Sequence, residues 1–557
     1  MGPRGRMMIT FPHFEPHFPR DRWTLPHVLE HQARVRADKP FLNWKDGGRP
    51  WSFAETNGIA NRIGHGFAAK GVGKGGMVGL LLPNCPEFIF LWFGLAKIGA
   101  VEVVISDAYK GSFLAHPLKL SKARIVVTTA ALAARLVEIE DDLADLESIY
   151  LVPTEDDVPP PAFRRIAVGK YEDLLSDNEE NPGVVVTPRD PAAVLMTSGT
   201  TGPSKGVLMP HSQFYFFAEE DVQLTRLTEN DVYMTGFPLF HGNAQFLTVY
   251  PSLIAGGQVA LYPRFSASDW AGRARRSGAT VTNLLGATMS FILAQPPSAD
   301  DRAHKVRTIY AAPLAPALGR QFVERFGPIN FVDGFGQTEI SNVFMTPFGA
   351  ERPDGASGVL VDQFYDIRLA DPETGLDVPE GQTGELLIRP KVEGIICSEY
   401  LGMPEKTVET WRDLWFHTGD GLRRDENGWY FFVDRVKDAL RRRGENISSF
   451  EVEAGVRSHP DVVECAVVGV RADEAAGEDE VMAFVVLKDG AAVDPAGIAA
   501  WAESKLPAFM VPRYIEFVSA LPLTASEKVR KKELRERGVT PATWDREAAR
   551  AARAASA

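Results

Sequence analysis

The chain has almost no cysteine. Only Cys85, Cys397 and Cys465 occur among 557 residues, far apart and odd in number. That excludes a disulfide framework and a thiolate metal site, and it fits a reducing compartment. Long apolar runs are missing too. The most apolar early stretch, Phe88 to Lys97, is too short to span a bilayer and ends on a charge. The first twenty residues contain no continuous apolar segment of the kind a signal peptide needs. Positive charge is also scarce: 60 Lys and Arg face 73 Asp and Glu, for a formal net charge of -13. A net acidic chain is a poor match for nucleic acid or an anionic membrane. These absences predict a cytoplasmic protein with no membrane span and no nucleic-acid partner, either a monomer or a homodimer.

What is present is ordinary for a globular protein, with 45% apolar and 24% charged residues. At about 150 residues per domain the length allows several cores. Amphipathic helical stretches alternate with short β-branched runs, among them Met77–Leu82, Ala100–Ile105, Ala123–Thr128 and Ala192–Thr197. That alternation predicts layered α/β sheets with mainly parallel strands. Residues 153–190, rich in Pro, Asp and Glu, read as a long surface connection. Past residue 435 the pattern changes. Val462–Val470 and Val481–Leu487 read as strands of a small sheet, with helices at 450–458 and 494–505. The expected organisation is a large multi-subdomain N-terminal region at 1–435, a small α+β domain at 436–540 and a tail at 541–557, helical from Thr543. Pro12, Pro16 and Pro19 make the N-terminus an extended arm, and His13 and His17 there read as surface residues rather than metal ligands.

The strongest local signal is Thr197-Ser-Gly-Thr-Thr-Gly-Pro-Ser-Lys-Gly206, between two apolar runs. Closely spaced backbone N–H groups and hydroxyls make a nest for phosphate oxygens. It is not a Walker A loop, because only two residues separate Gly202 from Lys205. Gly71-Val-Gly-Lys-Gly-Gly76 formally fits a dinucleotide fingerprint, but it follows a helix and precedes a strand, the reverse of the required order. It reads as a turn.

The decapeptide resembles the signature of the adenylate-forming superfamily of acyl-CoA synthetases, peptide-synthetase adenylation domains and beetle luciferases. Further motifs follow in that family's order over residues 25–540. The resemblance implies that ATP, Mg²⁺ and coenzyme A are used, and that the small domain moves. It implies phosphate contacts from Thr197, Ser198, Gly199, Thr201, Gly202 and Lys205, with Thr200 catalytic. Phe237-Pro-Leu-Phe-His-Gly242 resembles the border of the acyl pocket, where His241 would gate the passage between carboxylate and thiol. Tyr310-Ala311-Ala312-Pro313 resembles the lining of an adenine pocket. In Asp333-Gly334-Phe335-Gly336-Gln337-Thr338-Glu339 the resemblance has Phe335 stack on adenine, Thr338 bond the α-phosphate and Glu339 hold the metal. The family usually has Tyr where Phe335 stands.

By the same resemblance Asp420 of Trp415–Asp420 accepts the ribose hydroxyls. Arg435 contacts ribose and phosphate, and Lys437 is the hinge. Leu440–Ile447, with Arg443, Gly444 and Glu445, resembles the loop lining the coenzyme A tunnel. Its arginines read equally as phosphate contacts or as a solvated basic face. Lys528, in Pro522–Val529, matches the lysine of adenylation. Ala108–Ala115 and Arg442–Ile447 are most similar to the crotonobetaine/carnitine-CoA ligase-like group. Pocket residues by position are Asn243, Gln245, Ala287, Met289 and Asn342, a partly polar set suited to a small or functionalised carboxylic acid. A carrier protein in place of coenzyme A is the alternative acceptor.

Overall fold

The computed structural model describes residues 9–156, 158–197, 204–312, 314, 316–435, 440–442, 445–447, 449–471, 479–506, 508, 510–523 and 528–550. Two largely parallel sheets form the body of the large domain. One runs in the order 330–332, 308–311, 281–284, 232–235, 258–261, 40–44, 51–52, with only the last pair antiparallel. The other places strands 191–197, 101–104, 77–81, 125–128, 148–151 and 167–170 in parallel. Strands 205–210 and 399–400 then extend its edge in antiparallel pairing. The four apolar runs read from the sequence are these strands, within a residue or two of their bounds.

Two helices carry the core of this body. Pro86–Lys97 is buried at every residue but Glu87, and His211–Thr225 at every residue but Gln223. A helix apolar on all sides has no solvent face and is stable only when other elements enclose it. Tucked into the second helix are three buried acids, Glu219, Glu220 and Asp221. Burial pushes Glu220 and Asp221 well above the ordinary carboxylate range.

Two expectations need correction. The large domain contains a third sheet, antiparallel throughout, in the order 334–337, 341–345, 358–360, 429–435, 416–424, 384–390, 365–370. Most of its strands are joined without an intervening helix, the exception being the connection from 390 to 416 with helix Pro404–Thr410, so the helix–strand alternation carried no sign of it. The tail does not begin as a helix. Trp544–Asp545 is a strand paired with Tyr514–Ile515, the edge of the four-stranded small sheet, and helix follows from Arg546. Within the expected surface connection, Ala167–Lys170 is a strand and Tyr171–Leu174 a short 3₁₀ turn. Gly71 and Gly75 have positive φ and lie in turns.

The N-terminal arm straps the large domain. Phe11 N–H donates to the Leu360 carbonyl at 2.9 Å, and Trp23 stacks on Tyr215 at 5.2 Å. Glu219 is fully buried, and its carboxylate accepts from His17 N (3.1 Å), Tyr215 Oη (2.7 Å) and Gln223 Nε2 (2.8 Å), while His17 Nδ1 lies at 2.9 Å. The hydrogen bond to Glu219 raises the His17 pKa, burial opposing it. A histidine with a raised folded pKa stabilises fully below its unfolded value, about 6.5, and loses that contribution as pH rises through the folded value. His17→Ala is therefore expected to lower the melting temperature more at pH 6 than at pH 9. An equal loss at both would remove the charged pair from the account.

Candidate active site

The site lies where the edge of the second sheet, the antiparallel sheet and the small domain meet. Strands 191–197 and 205–210 pair antiparallel, with Thr197 opposite Lys205. That register fixes where the glycine-rich segment begins and ends. Ser198, Gly199, Thr200, Thr201 and Gly202 fall outside the described residues.

Lys205 Nζ sits 4.0 Å from the centre of the Tyr400 ring and 3.9 Å from Glu339 Oε1. Burial lowers its pKa, opposed by Glu339. The Tyr400 hydroxyl donates to the same Glu339 oxygen at 3.0 Å. Gln213 Nε2 donates to the carbonyls of Thr338 (2.9 Å) and Glu339 (3.1 Å), and Cys397 N–H to the Glu339 carbonyl (2.7 Å). Glu339 is thus held buried, with its carboxylate beside one ammonium.

Strand Gly334–Gln337 carries a bulge between Phe335 and Gly336. A Cβ on Gly336 would lie 1.7 Å from the Ser341 carbonyl oxygen, so only glycine fits. Phe335 is half-buried, 5.9 Å from each of the Phe344 and Phe432 rings. Asp333 is buried and paired with Arg352; burial still pushes its carboxyl up to about 6. Ala311 ends the strand 308–311 and is buried, Ala312 is half-buried beside it, and Pro313 falls outside the described residues.

Asp420 and Arg435 stand opposite each other on neighbouring strands. Arg435 Nε lies 2.8 Å from Asp420 Oδ1, and Gln337 Nε2 donates to Oδ2 at 2.6 Å and to the Thr418 carbonyl at 3.1 Å. Burial raises the Asp420 pKa, while Arg435 and then Gln337 hold it down. Gln337 is therefore a brace between the strand of Phe335 and that of Asp420.

His241 and Lys528 are both exposed at the cleft surface, with protein packed beneath them. His241 Nδ1 accepts from Asn243 N–H at 3.2 Å. The surrounding protein, and next the Lys528 ammonium, lower its pKa, so the ring is neutral at pH 7. Lys528 is itself lowered by burial and by Arg435, and raised by Glu339 and Asp420. The charges of Glu339, Asp420, Arg435 and Lys528 thus act on one another across one cleft.

The pocket set is mixed. Asn283 Nδ2 bonds the Asn243 carbonyl at 3.1 Å. Gln245 is buried at the start of a π-helical turn, 245–249, and donates to the buried Glu102 at 3.2 Å. Asn342 is buried behind Gly334, its N–H on Glu220 at 2.9 Å. Ala287 is exposed, whereas Met289 on the same helix is fully buried in the core with Trp270 and Phe322. Lys437, Arg443 and Gly444 lie outside the described residues; Glu445 is in a strand pairing with Arg442. Tyr400 and Gln213, which fix Glu339, were not found from the sequence. Neither sits in a motif, and their roles arise only from folding.

A buried carboxylate beside a lysine, Glu339 with Lys205, and a second buried carboxylate paired with an arginine, Asp420 with Arg435, are set on neighbouring strands and turns of the large domain. The chain belongs to the family of AMP-binding enzymes: that family's model matches residues 29–394, and the model of its C-terminal domain matches residues 451–528. It is an acid–thiol ligase of the adenylate-forming superfamily. It is similar to the crotonobetaine/carnitine–CoA ligase of Salmonella typhimurium, 32% identical over 87% of this chain and 93% of that one. Among solved structures it resembles the anthranilate CoA ligase AuaEII in complex with anthranoyl-AMP (TM-score 0.81, 27% identity, covering 93% and 98% of the chains). It also resembles ATP-bound MatB from Rhodopseudomonas palustris (TM-score 0.79, 25% identity, covering 93% and 99%). Among the described residues no helix is long and apolar enough to cross a membrane.

The family implies a divalent cation. No cluster of three or more His, Cys, Asp or Glu side chains suited to a metal occurs among the described residues. Among the described residues, Glu339 offers a hard oxygen ligand beside Lys205 at the end of the glycine-rich segment, which fits Mg²⁺, an ion commonly held by one or two carboxylates plus phosphate oxygens. When bound there, it would neutralise charge on the departing pyrophosphate.

Proposed function

We propose that the protein converts a small or functionalised carboxylic acid to its coenzyme A thioester. A carboxylate cannot acylate a thiol directly, because oxide is too poor a leaving group. In the first step the acid attacks the α-phosphorus of ATP, forming acyl-AMP and releasing pyrophosphate. In the second the thiol displaces AMP. Lys205 and Lys528 would meet the negative charge of the first step. Asp420 would take the ribose hydroxyls and Phe335 the base, with Arg435 and Thr338 on the phosphate side. His241, kept neutral, would let the thiol pass without adding a charge to the acyl channel. The small domain would turn about Lys437 between the steps, bringing the loop of Arg443, Gly444 and Glu445 to the thiol.

The observation that carries this reading is geometric: Lys205 Nζ lies 3.9 Å from Glu339, Arg435 Nε lies 2.8 Å from Asp420, and Gln337, two residues before Glu339, bonds Asp420 at 2.6 Å. The substrate class is supported by the polar, half-buried Asn243 and by the relatives that act on crotonobetaine, carnitine and anthranilate. The acidic trio of helix 211–225 does not form a cationic cage: Glu219 is occupied by His17, Tyr215 and Gln223, and burial favours the neutral forms of Glu220 and Asp221. Pyrophosphate release should be assayed with ATP, Mg²⁺ and a panel of carnitine, crotonobetaine, anthranilate, butyrate and palmitate. Turnover with at least one short or polar acid should exceed that with palmitate by tenfold or more. Preference for palmitate would sink the substrate class.

A further inference from the structure

Asp434 ends the large domain's contribution to the cleft and reaches into the small one. Its Oδ2 accepts both the N–H (2.7 Å) and the Oγ–H (2.6 Å) of Ser449, the first residue of helix Ser449–Arg457. A carboxylate suits such a helix start, where N–H groups lack intrahelical partners, but here it comes from across residues 436–439. The Ser449 hydroxyl, while donating to Asp434, accepts from Lys531 Nζ at 2.5 Å. The same ammonium lies 2.8 Å from Glu453 Oε1, which also accepts Val467 N–H at 2.8 Å. Asp434, Ser449 and Glu453 are all buried.

The chain of contacts continues in the other direction. Asp434 Oδ1 accepts Arg435 N–H at 2.7 Å, and Arg435 Nε meets Asp420 at 2.8 Å. Polar groups therefore run unbroken from the expected ribose carboxylate to a lysine three residues beyond Lys528. A second contact crosses nearby, where the Arg530 guanidinium lies 5.5 Å over the ring of Phe113 on the large domain.

A cap that served only to stabilise the helix would come from the helix's own domain. Of these bonds, only the pair from Ser449 to Asp434 crosses between domains; those among Ser449, Lys531, Glu453 and Val467 stay within the small one. Turning the small domain must break the first pair and leaves the rest intact. We propose that Asp434, Ser449 and Lys531 form a latch that holds Lys528 over the nucleotide, and that they are positioning residues for acyl-AMP formation. The latch rests on the two-step reading of the reaction.

The test uses the full-length protein and its Lys531→Met, Lys531→Arg, Asp434→Asn and double Asp434→Asn/Lys531→Met variants. Each half reaction is followed in single turnover. Lys531→Met should slow acyl-AMP formation about tenfold and leave thioester formation from supplied acyl-AMP unchanged or faster, with Lys531→Arg recovering most of the loss. The double variant should be no worse than the poorer single, because groups in one chain do not add. Equal slowing of both half reactions, or additive losses, overturns the latch. A second readout needs no turnover: spin labels at exposed Val408 and Val463, one on each domain, report the distance between domains. Lys531→Met should shift or broaden that distance, and an unchanged distribution overturns the proposal. A wild-type protein inert toward every acid would instead count against the ligase reading, while the label distance still decides the latch.

Discussion

Lys528→Ala should slow acyl-AMP formation by about a thousandfold while costing thioester formation from supplied acyl-AMP less than tenfold. Two anions, the carboxylate and the α-phosphate, must approach in the first step, and no comparable repulsion exists in the second. One ammonium at about 4 Å and an effective dielectric near 20 contributes roughly 4 kcal/mol, or about three decades in rate if it acts on the transition state. Burial and Arg435 lower the Lys528 pKa, and Glu339 and Asp420 offset part of that. A second readout is independent of turnover. Lys528 helps keep His241 neutral, so the variant should raise the His241 pKa, visible by NMR titration. Equal losses in both half reactions, or an unmoved His241, would take Lys528 out of the site.

The sequence was informative where function is written into consecutive residues. Asp333–Glu339 and Phe416–Asp420 are each a strand or strand end that carries several candidate groups in consecutive residues, and Thr197 and Lys205 pair at the two ends of the glycine-rich segment. Continuous apolar runs were equally clear in the two parallel sheets, because a strand buried on both faces has no reason to include polar residues. Contacts between distant segments were not legible. Tyr400 reaches Glu339 from a two-residue edge strand, too short to leave a pattern. His17 finds Glu219 across about two hundred residues, with no local consequence for either. Gln337 read as one more residue of a nucleotide motif, yet its geometry makes it the brace for Asp420. Met289 lies on the helix that also carries Ala287, but faces the core, since position in sequence does not fix which face of a helix looks into a pocket. The antiparallel sheet escaped for a related reason: several of its strands are half-exposed and alternate irregularly, as in Tyr365–Ala370.

Asp420→Asn should raise the KM for ATP about a hundredfold and change kcat much less. Hydrogen bonds to a charged acceptor are worth about 1.5–3 kcal/mol each, and the expected role gives Asp420 two of them, to the paired ribose hydroxyls. The amide keeps the shape but offers one acceptor instead of two. Its NH₂ would face either Gln337 Nε2 or Arg435 Nε, both of them donors. The loss is therefore one of binding and orientation rather than of chemistry, which is why KM moves first. The fold should survive, since Arg435 is half-exposed and finds water when its partner is neutral. Because burial raises the Asp420 pKa, the wild-type KM should begin to climb on acidification at a higher pH than an exposed aspartate would give. That acid limb should vanish in the asparagine variant. Initial rates against ATP at several pH values, with calorimetric titration of AMP alongside, measure both effects. A KM within twofold of wild type would show that the ribose is held elsewhere.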